Sequence, residues 1–235
     1  MSDLQLSVII PTYNEINTIE SVLSEVQQAM PQVSKEIVIV DDGSTDGTRE
    51  WLKTIAEKET TVHVIFQPTN QGKGAALREG FRQATGDVIV IQDADLEYDP
   101  QDWQEMWRLI ETDRADVVYG SRFYGKPHRV LYFHHYLGNK VISMLVNLVC
   151  NTMFSDIEVC YKMFRREVIE GLAFTCDGFG FEVEFTMKIS RRRRRWRLYE
   201  VGVSYYGRTY AEGKKISWRD GVRALWLIAW FTVRR

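Results

Sequence analysis

Three short polar stretches hold the residues best equipped for chemistry: Pro11-Thr12-Tyr13-Asn14-Glu15, Asp41-Asp42-Gly43-Ser44-Thr45-Asp46-Gly47 and Gln92-Asp93-Ala94-Asp95-Leu96-Glu97. In extended chain, residues i, i+2 and i+4 point the same way, so Asp93, Asp95 and Glu97 can aim three carboxylates at one point. Such a cluster repels itself unless a cation joins it. Hard oxygen donors of this kind hold Mg2+ or Mn2+, with one or two carboxylates and substrate phosphates sharing the coordination shell. A calcium loop is excluded by spacing: the sixth position from Asp93 is Tyr98 where Gly is needed, and the twelfth is Gln104 where Glu is needed. The run from Asp42 fails likewise, reaching Lys53 at its twelfth position. Each stretch also has a purely local reading: Asn14 as a helix cap, Asp41–Gly47 as turn chemistry, and Asp93–Asp99 as acidic residues before a helix N-terminus.

Other phosphate-binding patterns do not fit. Asn70-Gln71-Gly72-Lys73-Gly74 resembles part of a P-loop, yet Gly74 stands where Ser or Thr is required and the earlier Gly is missing. As a dinucleotide fingerprint, Gly72-x-Gly74-x-x-Leu77 lacks the third small residue and follows the third strand instead of the first. Gly72 and Lys73 at a helix N-terminus remain suited either to an anion or to a tight turn.

The elements that must position these residues can be read from periodicity. Leu6–Ile10, Ile37–Val40, Val62–Phe66, Val88–Ile91 and Asp116–Tyr119 read as strands. Between them, helices are expected over Glu15–Met30, after an Asp46 cap, over Gly74–Ala84, and after Asp99-Pro100. This βαβαβαβαβ order implies a mainly parallel, Rossmann-like α/β sheet with helices on both faces. Ligands of such sheets bind beyond the carboxyl ends of the strands, where the three polar stretches fall. After Gly120 the rhythm breaks into a helix near Asn139–Thr152, a mixed segment Val159–Arg165, a helix Phe181–Arg192, a strand Leu198–Val203 and a final helix Trp218–Val233. The 235 residues are read as one domain, with a nucleotide-type part over 1–121 and a helical, acceptor-facing part over 122–235.

Composition supports a folded chain, 45% hydrophobic and 26% charged. The net charge of −2 hides a division: residues 1–121 carry 9 Lys and Arg against 22 Asp and Glu, and residues 122–235 carry 21 against 10. Cys150, Cys160 and Cys176 form no CxxC pair, which suggests reduced thiols in an intracellular setting and no zinc site. No secretory signal pattern opens the chain, and the apolar stretches Val141–Cys150 and Ala224–Val233 fall short of the roughly 20 residues that span a bilayer.

LSVIIPTYNE, IVIVDDGSTDGT, NQGKGAAL, GDVIVIQDADLEYDP and VVYGSRF, in this order, resemble the family 2 glycosyltransferases of GT-A fold, and most closely their dolichol-phosphate mannosyltransferase-like branch. Similarity continues through DIEVCYK, FGFEVEFTMK and GRTYAEGKKISWRDG. The resemblance implies inverting transfer of a sugar from a nucleotide diphosphate donor, of GDP-mannose or UDP-glucose type, onto a polyprenyl phosphate. The alternatives are a hydroxyl acceptor on a glycan or glycolipid, and a non-catalytic basic membrane-binding module with a degenerate site. It implies that Pro11, Tyr13, Glu15 and Asp42 hold the base and ribose, that Asp93 lies by the ribose or diphosphate, and that Asp95 meets the metal. Glu97 stands where many relatives have Gln, which adds charge near the Mg2+ or Mn2+ ion. Lys73, at the helix N-terminus, joins the nucleotide side. Arg122 and Arg129 match acceptor-phosphate positions, with Lys162 and Arg208 as further phosphate contacts. Asp156 matches an acidic position that could orient the acceptor, stabilise developing charge, or act as a base toward a hydroxyl. The QxxRW motif of processive synthases is absent.

The arginine run Arg191–Arg195 with Arg197, followed by Trp218, Trp226, Trp230, Phe231 and Arg234-Arg235, suits the surface of an anionic membrane. Peripheral association at a cytoplasmic membrane face is therefore expected. A nucleic-acid partner is not, because no binding motif accompanies the run and the first half is acidic. The sequence leaves oligomeric state open.

Overall fold

A computed structural model describes residues 4–192, 195–209, 212 and 218–234. Arg193, Arg194, Arg235, the Trp218 side chain and most of the motif beyond Thr209 lie outside the described residues. In chain order the elements are β1 (Leu6–Thr12), α1 (Ile19–Gln28), β2 (Lys35–Asp41), α2 (Thr48–Lys58), β3 (Val62–Phe66), α3 (Lys73–Gln83) and β4 (Val88–Ile91). A 3-10 turn at Pro100–Asp102 runs into α4 (Trp103–Glu111), followed by β5 (Val117–Ser121), α5 (Phe133–Cys150), β6 (Lys162–Arg165), α6 (Phe181–Arg191), β7 (Leu198–Gly202) and α7 (Trp218–Val233).

The strands form one sheet in the order β3-β2-β1-β4-β6-β5-β7. The chain runs outward from β1 to β3 and returns to β4 on the other side of β1. With right-handed crossovers this places α1 and α2 on one face and α3 on the other. Burial agrees, since every residue of β4 and six of the seven in β1 are shielded from solvent. Both faces are therefore covered, as a continuous run such as Val88-Ile89-Val90-Ile91 requires.

The mixed segment Val159–Arg165 resolves into β6, which inserts antiparallel between β4 and β5 and pairs Ile89 and Val117 with Phe164. Four residues are too few for periodicity to identify a strand whose partners lie more than forty residues away. Alternation along β6 turns Lys162 and Phe164 to the same face, beneath α6. That helix buries nine of its eleven residues, and Phe174, Phe181 and Phe185 pack around one another and against Phe81 and Phe164.

Three local expectations shift. Helix α1 begins at Ile19, not Glu15, because Asn14 takes a left-handed conformation (φ 52°) and residues 15–18 form a turn. Gly47, at φ 100°, occupies the cap position of α2, although the Asp46 carboxylate still accepts from the Thr48 amide at 3.1 Å. Helix α5 starts at Phe133, six residues before the expected Asn139, because the aromatic stretch is helical. Asp99 caps the 3-10 turn as expected, accepting from the Gln101 amide at 2.9 Å.

The start of α3 presses against residues 176–178. A Cβ on Gly74 would lie 2.1 Å from the Cys176 carbonyl oxygen, whereas one on Gly138, within α5, would meet nothing. Gly74→Ala should therefore cost about 2 kcal/mol or more and lower Tm by several degrees. Gly138→Ala should be neutral or stabilising by up to about 1 kcal/mol. Thermal denaturation of the two variants checks the contrast.

Candidate active site

The parallel strands deliver their polar ends to one rim. Thr12 pairs with Asp41 across β1 and β2, and β4 ends at Ile91, opposite Ile9. The next residues of the β4 chain therefore run alongside Pro11 and Thr12 instead of projecting past them. The loops are then tied together. Asn14 Oδ1 accepts from the Thr45 amide at 2.8 Å while the Asn14 amide donates to Ser44 Oγ at 2.9 Å. Thr18 Oγ1 donates to the Ala94 carbonyl at 2.8 Å, which joins the first loop to the third. Asp41 turns inward to Arg49 at 2.6 Å and serves the fold.

Between these loops lies a cleft lined by Pro11, Tyr13, Glu15, Asp42, Lys73, Asp93, Asp95, Glu97, Tyr205 and Arg208, among others. Every nucleotide-side and metal-side residue expected from the sequence is in this group. Asp42 is oriented by its neighbours: Oδ1 accepts from the Gln71 amide and Oδ2 from the Gly72 amide, both at 2.7 Å. Each oxygen keeps a second lone pair for a base N–H. Burial pushes the Asp42 carboxyl above its ordinary range against those two hydrogen bonds.

Among the described residues, the cleft lining carries five carboxylates (Glu15, Asp42, Asp93, Asp95 and Glu97) and two cations (Lys73 and Arg208). Lys73 lies 2.7 Å from Asp93 and 3.5 Å from Glu182. Although burial works against ionisation, Lys73 holds the Asp93 carboxyl below its ordinary range. Arg208 is shared by Asp95 at 2.5 Å, Glu97 at 3.2 Å and Glu15 at 3.7 Å. The Asp95 carboxyl is nevertheless pushed up to about 7, by burial first and then by the charges of Asp93 and Glu97. The cluster is short of positive charge even with Arg208 present.

That deficit and the hard oxygen donors fit a divalent cation. The arrangement differs from the extended triad expected from spacing, however. The chain turns after Asp95, whose Oδ1 accepts from the Glu97 amide at 3.2 Å, and the cations draw Asp93 one way and Asp95 with Glu97 another. Among the described residues no group of three such side chains is gathered as a ready-made metal cage. The fit is to an ion held by one or two of these carboxylates, with diphosphate oxygens completing its shell.

A second pocket adjoins the first across Tyr205 and is lined by Arg122, Phe123, Arg129, Tyr132, His135, Tyr136 and Asn139, among others. Arg122 is clamped by Asp156, whose Oδ2 accepts from Nε at 2.7 Å and whose Oδ1 accepts from Nη2 at 2.8 Å. Asp156 is fully buried, and its Oδ2 also takes the Arg122 amide at 3.2 Å. Its geometry is that of a residue positioning Arg122, not of a base open to substrate. Arg129 reaches the same pocket and pairs with Glu212 at 2.8 Å.

Two expectations change. Lys162 is not a phosphate contact: it is fully buried, pairs with Glu182, donates to the Val159 carbonyl and lies over the Tyr119 ring, because β6 points it under α6. Arg208 belongs to the acidic cleft instead of the arginine pocket. Two residues were overlooked. Tyr205 lines both cavities, and its only sequence signal was proximity to Arg208. Glu158 has a buried Oε1 without a hydrogen-bond partner and is pushed up to about 7, by burial and then by Glu182. Near it, Lys162 is matched by Glu182 and Arg122 by Asp156, so among the described residues neither cation forms an ion pair with Glu158, although both draw its carboxyl down.

The comparisons with known proteins agree with this architecture. Residues 7–172 match glycosyl transferase family 2, and the chain belongs to that family. It is 32% identical over 222 residues to an undecaprenyl-phosphate mannosyltransferase of Micrococcus luteus, covering 90% of this chain and 87% of that protein. It is also 32% identical over 219 residues to a dolichol-phosphate mannosyltransferase of Pyrococcus furiosus, of which it spans 61%. The fold matches glucosyl-3-phosphoglycerate synthase of Mycobacterium tuberculosis, solved with Mn2+, UDP and phosphoglyceric acid, with TM-score 0.71 and 20% identity over 96% of this chain and 78% of that one. The fold is GT-A.

The position of Glu158 makes stability depend on pH. Its folded pKa lies above its unfolded one, so the native state is penalised as pH rises from about 4.5 to about 7 and stays penalised above that. Glu158→Gln should therefore match the wild type in stability near pH 4.5 and exceed it at pH 8.5 by on the order of 2 kcal/mol, as read by denaturant titration at both pH values.

Proposed function

We propose that this glycosyltransferase moves a sugar from a nucleotide diphosphate donor, of GDP-mannose or UDP-glucose type, onto the phosphate of a polyprenyl lipid. The observation that carries this reading is the pairing of an acidic cleft with an arginine-bearing aromatic pocket that opens at the start of α5. Pro11, Tyr13, Glu15 and Asp42 are assigned to base and ribose, and Lys73 and Asp93 to the diphosphate side. One or two of Asp93, Asp95 and Glu97 would supply the oxygen ligands of Mg2+ or Mn2+. That ion, when bound, supplies charge stabilisation for the departing diphosphate.

The remaining chemistry belongs to side chains of this chain. The glycosidic bond to the diphosphate breaks as an acceptor phosphate oxygen bonds to the anomeric carbon from the opposite side, which inverts configuration. A phosphate is already anionic near pH 7, so it needs placement more than deprotonation. Arg122, held by Asp156, provides that placement with Arg129. The burial of Asp156 and the occupation of both its oxygens favour this acceptor over a hydroxyl, which would need a base.

A lipid acceptor requires a membrane-facing surface. Helix α5 exposes Phe133, Leu137, Val141, Met144 and Leu148, an i, i+4, i+8, i+11, i+15 stripe, while burying Ile142, Val146 and Cys150. Helix α7 packs beside α5 and exposes Val222, Leu225, Trp226, Trp230 and Val233. Leu148 is 78% exposed and Trp226 57%, far more than core residues allow. Arg234 lies over the Trp230 ring at 3.7 Å, whereas the Lys140 ammonium of α5 turns inward and donates to the Ser155 carbonyl at 3.1 Å. No helix among the described residues is long and apolar enough to cross a membrane. We assign the α5 and α7 stripes to peripheral docking, with Arg234 meeting anionic headgroups.

Two outcomes test the proposal. With Mn2+, the matching nucleotide sugar and polyprenyl phosphate, the chain should form a lipid-linked monosaccharide, and Asp95→Asn or Arg122→Ala should each lower kcat/KM by about 100-fold or more. Absence of product across the common donors would overturn the assignment. In flotation with anionic vesicles, the double variant Leu148→Ser, Trp226→Ser should lose most binding while keeping its affinity for the nucleotide diphosphate with Mn2+.

A further inference from the structure

The two cavities share a wall, and one side chain touches the machinery of both. The Tyr205 hydroxyl donates to Glu97 Oε2 at 3.0 Å on the acidic side. On the other side, the Arg122 guanidinium carbon lies 5.2 Å from the centre of the Tyr205 ring, a cation–π distance. Tyr98 backs the same ring at 5.3 Å. The backbone is fixed as well: the Tyr205 amide donates to the Pro127 carbonyl at 3.0 Å, and its carbonyl accepts from the Arg129 amide at 2.8 Å. The ring therefore has little freedom to swing, and the segment that pins it through an isolated bridge at His128 also carries Arg129.

A phenol has one proton to donate. While Glu97 holds it, an anion beside Arg122 receives only the guanidinium. Glu97 is a carboxylate in a cluster short of positive charge among the described residues, so its hold on that proton is strongest when Arg208 is the cation it shares with its neighbours. A further cation on Glu97 lowers the demand and leaves the hydroxyl available to the neighbouring pocket without any backbone movement.

We propose that Tyr205 is a positioning residue coupling the two cavities, so that filling the acidic cleft with a divalent ion and a nucleoside diphosphate strengthens the grip on a phosphate beside Arg122. The inference rests on the donor and acceptor assignments above. Coupling of this kind is reciprocal: the acceptor phosphate must tighten the diphosphate by the same factor. For a transferase it favours the ternary complex over an enzyme that holds a donor with no acceptor and exposes it to water.

The test is a binding measurement on the full chain, with farnesyl phosphate in detergent micelles as the acceptor probe and UDP or GDP, whichever binds, as the diphosphate. In the wild type, Mn2+ with the diphosphate should lower the Kd for farnesyl phosphate about fivefold, the lower end of ordinary coupling. Tyr205→Phe keeps the ring against Arg122 and removes the hydroxyl. In that variant the ratio of the two Kd values should fall to about one, with diphosphate binding still measurable and Tm within about 2 °C of wild type. Tyr205→Leu also removes the ring and should weaken farnesyl phosphate in both conditions. Arg122→Lys keeps the charge, loses the planar face against the ring, and should reduce the ratio by a second route. A wild-type ratio of one, or a Phe variant that keeps the wild-type ratio, overturns the coupling while leaving the donor and acceptor assignments intact. Failure of the wild type to bind either diphosphate with Mn2+ overturns the donor assignment itself, and the coupling with it.

Discussion

An excess of negative charge that the described residues do not neutralise on their own governs the site. The sheet brings carboxylates from three strand ends to one rim, and Lys73 and Arg208 are too few to balance them. Burial first, and then this imbalance, which a partly buried cleft does not screen as an open surface would, push the Asp95 carboxyl up to about 7. A nucleotide diphosphate would add more negative charge, so the cleft suits it only together with a cation. On our reading, electrostatics alone would ask for an ion beside such a donor, apart from any family likeness.

The rest of the fold serves to hold that unfavourable cluster in place. Asn14, Thr18 and the Asp42 carboxylate stitch the loops with hydrogen bonds that span dozens of residues in sequence. Beneath them, β6 and α6 supply a buried layer of ion pairs in which Lys73 links Asp93 to Glu182, and Glu182 in turn holds Lys162. Buried pairs of this kind contribute little net stability relative to apolar packing, but removing one partner is costly, so they fix the geometry around the cleft.

The second half of the chain answers a different problem. A lipid substrate must be met at a membrane surface, and the α5 and α7 stripes lie on helices that pack together, with the arginine pocket at the start of α5. In our reading the acceptor phosphate enters where its lipid chain can run along an apolar helix face. Charge is divided between the two halves, acidic in the first and basic in the second, and in the same reading the first would serve the ion and nucleotide and the second the lipid phosphate and headgroups.

Local signals in the sequence determined a good deal. Runs rich in β-branched residues marked the five parallel strands of the first half, and the polar residues after β1, β2 and β4 identified the rim, because strand ends in parallel sheets face one way. A helix over Asn139–Thr152 was legible as well, but the His- and Tyr-rich stretch before it hid where α5 begins, and the exposed stripe that starts at Phe133 emerged only with the fold. What the sequence could not show is where a side chain points once strands distant in the chain pair. The antiparallel insertion of β6 sent Lys162 into the core, Asp156 became the clamp on Arg122, and Tyr205 came to stand between two cavities. Those outcomes depend on register and packing between residues tens of positions apart, and only tertiary structure decides which cation each carboxylate meets.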